Sequence, residues 1–155
     1  MKKKLKVTKQ KLSELLDIMQ IKHRIEQSDL SGNTVLSVKT EDGALLIGRG
    51  GENLRALEYL VNVLSQKETS GELDFVMIDV EGYKKEKITT LIETANCAAQ
   101  EAIENNKAVY LKPMRAYERR IIHMTLSDKN DIITESQGVE PYRVVVIKKR
   151  APNSG

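Results

Sequence analysis

The amino-acid sequence predicts an α/β protein made of two small modules in tandem, and three observations carry that reading. Segments with apolar residues at helical spacing alternate with short apolar runs of strand length. The alternation starts afresh after Gly82, and no Gly/Ser or Pro tract separates the two halves. At 155 residues the chain suffices for one ordinary domain or two small ones, each with a thin core. The expected boundaries are residues 1–81 with a basic lead, residues 82–150, and a short tail at 151–155.

In the first module, "VTKQKLSELLDIMQI" places Leu12, Leu15, Leu16 and Met19 on one face, with Thr8 as N-cap, which predicts a helix over about residues 8–20. "KHRIEQSDL" and "TVLSVKTED" flank the turn formers of "SGN", and the second shows Val35 and Val38 around polar Ser37, so a hairpin is expected. "GALLIG" reads as a short helix. "ENLRALEYLVNVLSQ" gathers Leu54, Leu57, Leu60, Val61 and Leu64 on one side of a longer helix that stops at "ETSG". "LDFVMIDVE" reads as a strand buried on at least one face.

The second module opens with "YKKEKITTLIETANCAAQEAIENN", a long helix with Ile88, Leu91, Ile92, Ala95, Ala98, Ala99, Ala102 and Ile103 facing inward. "KAVYL" is a strand. Pro113 opens the next helix, where its missing N–H does no harm. "DIITES" and "YRVVVIKK" are two strands joined by "QGVEP", whose Gly138 and Pro141 mark a loop.

Between the two helices of the first module stands the break Gly48-Arg49-Gly50-Gly51. Glycines there allow positive φ and leave no side chain between the backbone and a visitor. The helix starting near Glu52 aims its free N–H groups at the same place and Arg49 adds a full positive charge, so phosphate suits the site. The break lacks the lysine and hydroxyl residue of G-x-x-x-x-G-K-[ST] and the G-x-G-x-x-G order of a dinucleotide fold. It does match G-x-x-G between helices, the turn that a KH domain clamps onto single-stranded nucleotides, and the preceding helix and two strands followed by a helix and a strand give the type II KH order. A tight helix-helix turn that binds nothing would read the same from this string alone.

In "YERRIIHMTL", Arg119 and His123 stand four apart on one helical face, Arg115 extends the stripe by a turn, and Tyr117, Ile121 and Met124 are expected on the buried side. An arginine fork and a histidine can hold a phosphate together, the histidine more strongly when protonated. A histidine in this position can equally be a structural hydrogen-bonder. Arg120 and the basic end of the last strand would enlarge the positive surface, as nucleic acid requires.

Composition narrows the function classes. A net charge of +3 hides basic ends, "MKKKLKVTKQK" and "VVVIKKR", that suit a polyanion, although a lysine-rich end also serves solubility alone. One cysteine, Cys97, allows no intrachain disulfide, and two distant histidines supply no metal cluster, so a reducing cytoplasmic setting and no metal or cofactor are expected. The basic start lacks the apolar core of a signal peptide and no apolar run approaches membrane-spanning length, so neither export nor membrane insertion is expected. Glu118, Asp128 and Glu135 have no spacing that suits catalysis beside Arg119 and His123, so no catalytic residue is assigned. With no tryptophan and one phenylalanine, base stacking should contribute little and sequence preference should be weak.

Taken together, "LLIGRGGENLRALEYLVNVL", "DVEGYKKEK", "KPMRAYERRIIHMTL" and "ITESQGVEPYRVVVI" resemble the bacterial Jag family, also called SpoIIIJ-associated proteins, over nearly the whole chain. The resemblance implies a type II KH domain (helix-strand-strand-helix-helix-strand) followed by an R-3-H domain (helix-strand-helix-strand-strand), the latter named for the pair here at Arg119 and His123. It implies a cytoplasmic protein that binds single-stranded RNA, with single-stranded DNA left open, in the control of cell elongation or envelope growth in a bacterium, and a small partner that is itself a KH domain. Longer members carry an N-terminal Jag domain and linker, which this sequence is expected to lack. Their turn often has a second basic residue where this one reads GRGG, which should weaken phosphate attraction without abolishing it.

On this reading Gly48 to Gly51 clamp backbone, Ile47 and Leu54 line an apolar groove for bases, and Arg115, Arg119, Arg120 and His123 hold phosphate from the second module. The competing expectations are an adaptor that pairs with another KH protein or with itself and, less supported, a metal-dependent enzyme acting on RNA.

Overall fold

A computed structural model of the protein describes residues 2–30, 33–69 and 75–151. The expected turn residues Ser31 and Gly32, the stop at Ser70 and Gly71, the start of the third strand at Leu73 and Asp74, and the tail residues 152–155 lie outside the described residues. The chain divides into two compact units, Met1–Lys85 and Glu86–Gly155.

The first unit runs α1 (Lys2–Ile18), β1 (Arg24–Leu30), β2 (Asn33–Lys39), α2 (Gly43–Ile47), α3 (Glu52–Glu68) and β3 (Met77–Val80), the order of a type II KH domain. Its sheet is ordered β1-β2-β3, with β1 antiparallel to β2 and β3 parallel to β2. Leu12, Leu16, Leu36, Val38, Leu54, Val61, Ile78 and Val80 make the core.

Here α1 starts well before residue 8 and ends two residues before 20, a correction with a clear cause. Its buried stripe is Lys4, Thr8, Leu12 and Leu16, a strict i, i+4 series in which the first two residues look polar in sequence. Thr8 is no N-cap: its hydroxyl donates to the Lys4 carbonyl at 2.8 Å inside the helix. The lysine-rich lead is therefore part of the first helix. On α3, Leu60 is 44% exposed rather than inward.

The second unit runs through most of α4 (Tyr83–Asn105), then β4 (Val109–Tyr110), α5 (Ala116–Leu126), β5 (Ile132–Gln137) and β6 (Val144–Lys149). Its antiparallel sheet is ordered β4-β6-β5, which makes β6 central and explains its unbroken apolar run, with Val145, Val146 and Ile147 buried. Ala95, Ala98, Ala99 and Ala102 are the buried face of α4, small enough for close approach to Ile122 and Leu126 in the same core. Ile92, expected inside, is exposed.

Pro113 does not open a helix. Leu111 N donates to the Val145 carbonyl at 3.0 Å and Met114 N to the Arg143 carbonyl at 3.1 Å, so this stretch follows the sheet and α5 begins only at Ala116. Proline fits between those two donors because no bond is asked of it. On α5, Ile122 and Leu126 point inward, while Tyr117 and Met124, expected to be buried, are 47% and 63% exposed.

Candidate nucleic-acid interface

The break between α2 and α3 is a single tight turn over Arg49–Gly51 with three positive φ values around it: Gly48 at 69°, Gly50 at 57° and Gly51 at 78°. Each is a conformation that residues with a Cβ rarely adopt. A Cβ on Gly48 would lie 2.6 Å from Asn53 Cγ, and one on Gly51 would lie 3.0 Å from Tyr83 Cε1, whereas one on Gly50 would meet nothing within 4 Å. The outer side of the turn is therefore open space, and the inner side is filled.

Side chains of α3 hold this shape. Asn53 Nδ2 donates to the Leu45 carbonyl at 2.8 Å and Arg55 Nη1 to the Gly50 carbonyl at 2.8 Å. Gly48 N donates to Ala44 O at 3.0 Å and Gly51 N to Gly48 O at 3.3 Å, while the N–H groups of Arg49 and Gly50 have no acceptor among the described residues. The Leu45 and Gly50 carbonyls are engaged by α3 side chains, while Arg49 and Gly50 are both exposed. Ile47 is half-buried beside the turn, but Leu54 is only 1% exposed and belongs to the core, so it anchors α3 and does not line a groove.

Sequence reasoning missed Asn53, Arg55 and Tyr83. Arg55 stands in plain view as a basic residue one turn into the helix, but its bond to Gly50 depends on the fold of the turn. It supplies a second cation beneath the glycines, and its other terminal nitrogen, Nη2, is buried without a hydrogen-bond partner.

The second cluster is built differently. Arg119 is 8% exposed. Its Nη1 donates to the Met114 carbonyl at 2.7 Å and its Nη2 pairs with Glu140 Oε1 at 2.8 Å. His123 Nδ1 lies 2.6 Å from Thr134 Oγ1 and Nε2 lies 2.9 Å from Ser136 Oγ, both hydroxyls projecting from β5. Burial first, and the Arg119 charge second, lower the His123 pKa below the ordinary histidine value, so the ring is neutral at pH 7 with one nitrogen donating and the other accepting. Protonation of the free ring is thus disfavoured at neutral pH.

Arg119 and His123 do share one side of α5. Arg115 does not extend their helical stripe: it is the exposed N-cap residue in extended backbone, at φ −71° and ψ 161°. Arg120 is exposed. Two of the carboxylates near the pair in sequence are engaged in the fold. Glu118 is buried, accepts from Arg115 N at 2.7 Å and pairs with Lys87 at 3.0 Å, and Glu135 pairs with Lys148 at 3.0 Å. Among the described residues no group of three or more His, Cys, Asp or Glu is placed to hold a metal ion, and no helix is long and apolar enough to cross a membrane.

Glu140, Thr134 and Ser136 were not foreseen as partners of the Arg/His pair. Only the Ser136 and Thr134 alternation on a strand facing the helix could have hinted at it.

Residues 89–149 match the family described as the R-3-H domain. The chain is 33% identical to the RNA-binding protein KhpB of Clostridium symbiosum over 83% of its own length and 58% of the relative's. It is 34% identical to the protein of that name from Lactiplantibacillus plantarum, over 74% of this chain and 35% of the relative, and 37% identical to that from Bacillus subtilis, over 71% and 53%. The chain thus spans about half the length, or less, of these curated relatives. Tandem units in the expected order, an R-3-H match within the second, and similarity to these relatives across both units agree with the resemblance to the Jag family.

Proposed function

We propose that this protein grips single-stranded nucleic acid, RNA in particular, and releases it unchanged. The observation that carries the reading is the open glycine turn: two N–H groups without an acceptor among the described residues, an exposed arginine and clear space at Gly50, all at the start of α3. A sugar-phosphate backbone offers the anion that such a concavity fits. The relatives named RNA-binding proteins support RNA over DNA. Gly48 to Gly51 would then contact phosphate, Ile47 would border the bases, and Arg115, Arg119, Arg120 and His123 would add contacts from the R-3-H domain. A cytoplasmic setting, and at the cell level a part in elongation or envelope growth, accompany this reading.

Binding of labelled single-stranded RNA and DNA across a salt series tests it, with wild type set against Arg49→Asp/Gly50→Asp and, separately, Arg119→Ala/His123→Ala. The expected result is weaker binding and a shallower salt slope in the first variant. Absence of salt-dependent binding by wild type would reject the reading.

A second reading, an adaptor that pairs with another KH protein or with itself, is favoured by the apolar side chains exposed on the first unit: Ile18 at 79%, Tyr59 at 69% and Phe75 at 61%. Sedimentation of the purified chain over a concentration range would detect self-pairing.

A further inference from the structure

We propose that Glu140 occupies, in the free protein, the position on Arg119 that a nucleic-acid phosphate takes on binding, so that the second unit is loaded by exchanging one anion for another. The inference rests on the reading that Arg119 contacts phosphate.

The two contacts of the Arg119 guanidinium differ in kind. Nη1 is bonded to the Met114 carbonyl, in a stretch tied to the sheet through Met114 N and Arg143 O, and this contact is structural. Nη2 meets the carboxylate of Glu140, which is 56% exposed and stands in a loop closed by Tyr142 N donating to Val139 O at 2.8 Å. Val139 and Tyr142 on either side are strongly exposed, at 80% and 77%, so this loop can move the carboxylate aside without uncovering a core residue. Glu118 on the same helix as Arg119 shows the opposite design: it is buried and bonded at both oxygens.

A phosphate presents the same fork of oxygens to a guanidinium as a carboxylate does. An ion pair with one exposed partner is weak enough to be exchanged. Arg143, in the same loop, has its Nε buried without a hydrogen-bond partner. In this arrangement Glu140 keeps the buried Arg119 charge satisfied when no strand is present and selects against anions too weak to displace it.

The test is binding of a labelled mixed-sequence single-stranded RNA to the full chain at fixed ionic strength. Glu140→Gln is expected to tighten Kd by about two- to fivefold. Glu101→Gln, the same charge change on the exposed face of α4, is expected to give a smaller gain, and adding Arg119→Ala to Glu140→Gln should abolish the gain. If Glu140→Gln weakens binding, leaves it unchanged, or matches Glu101→Gln while Arg119→Ala still weakens it, Glu140 only positions Arg119 and the exchange is overturned. If neither Arg119→Ala nor Glu140→Gln changes binding, the phosphate role of Arg119 fails with it. Should Arg119→Ala not fold, Arg119→Lys keeps the charge without the fork, and the gain from Glu140→Gln must then shrink.

Discussion

The glycine turn of the first unit and the Arg119/His123 pair of the second are both candidate phosphate contacts, but one is open and the other closed. At the turn, Arg49 and Gly50 are exposed and their backbone N–H groups have no acceptor among the described residues. On α5 the arginine is buried and ion-paired, and both histidine nitrogens are bonded to hydroxyls. The exposed Arg49 of the first can be altered with little harm to the fold, whereas the Arg119/His123 pair is part of the fold. Mutations at the two should therefore separate binding from stability.

The largest expected effect is at the closed site. Arg119→Ala leaves the Met114 carbonyl and Glu140 without their donor, and should destabilise the second unit by about 2–3 kcal/mol, from the cost of stranding groups bonded to a charge. Urea unfolding followed by circular dichroism would measure it. A loss under about 0.5 kcal/mol would show that the pair is no more structural than a surface residue.

Next comes Gly48→Ala, whose φ of 69° with ψ near −177° is a region for glycine alone and whose new Cβ would strike Asn53. About 2 kcal/mol of destabilisation is expected. Gly50→Ala meets no neighbour and should cost about 1 kcal/mol from backbone strain only. Equal costs at the two glycines would contradict the inside-filled, outside-open description of the turn.

Arg49→Ala should change stability by less than about 0.5 kcal/mol. It should nonetheless lower the slope of log K against log salt for single-stranded RNA by about one contact. A stability loss without a change in slope would reverse the contrast between the two sites.

The smallest effect concerns pH. The His123 pKa is lowered in the folded protein, so the unfolded chain takes up that proton first. The stability conferred by a neutral ring is complete above the unfolded value of about 6.5 and declines as pH falls from there through the lower folded pKa. With the ring only partly buried, the effect should be small, and His123→Gln should flatten it. Thermal melts of the two proteins from about pH 7.5 down to about pH 5, across the ordinary histidine window, would show whether the slopes differ.

How far this is legible in sequence differs between the same two regions. The glycine turn can be read because its requirement is local: three glycines, a charge and a helix start lie within a few residues. The Arg119/His123 spacing is equally visible, but its partners are not, because Glu140, Thr134 and Ser136 reach it only through the β5–β6 hairpin. Lys4 and Thr8 escape a sequence reading for a related reason: burial of a polar residue depends on what packs over it, which no periodicity of apolar residues records. Tyr117 and Met124 mislead the other way, as apolar-looking residues left outside by the rotation of α5.

By itself the sequence determined the element order and the turn between α2 and α3, since hydrophobic period and glycine freedom act over neighbouring residues. The tertiary structure alone decided that Leu54 is core and not groove, that Arg55 locks Gly50, and that Arg119 is already holding a carboxylate. Those are contacts between residues brought together by folding, and a buried charge or carbonyl takes whichever partner the fold presents to it.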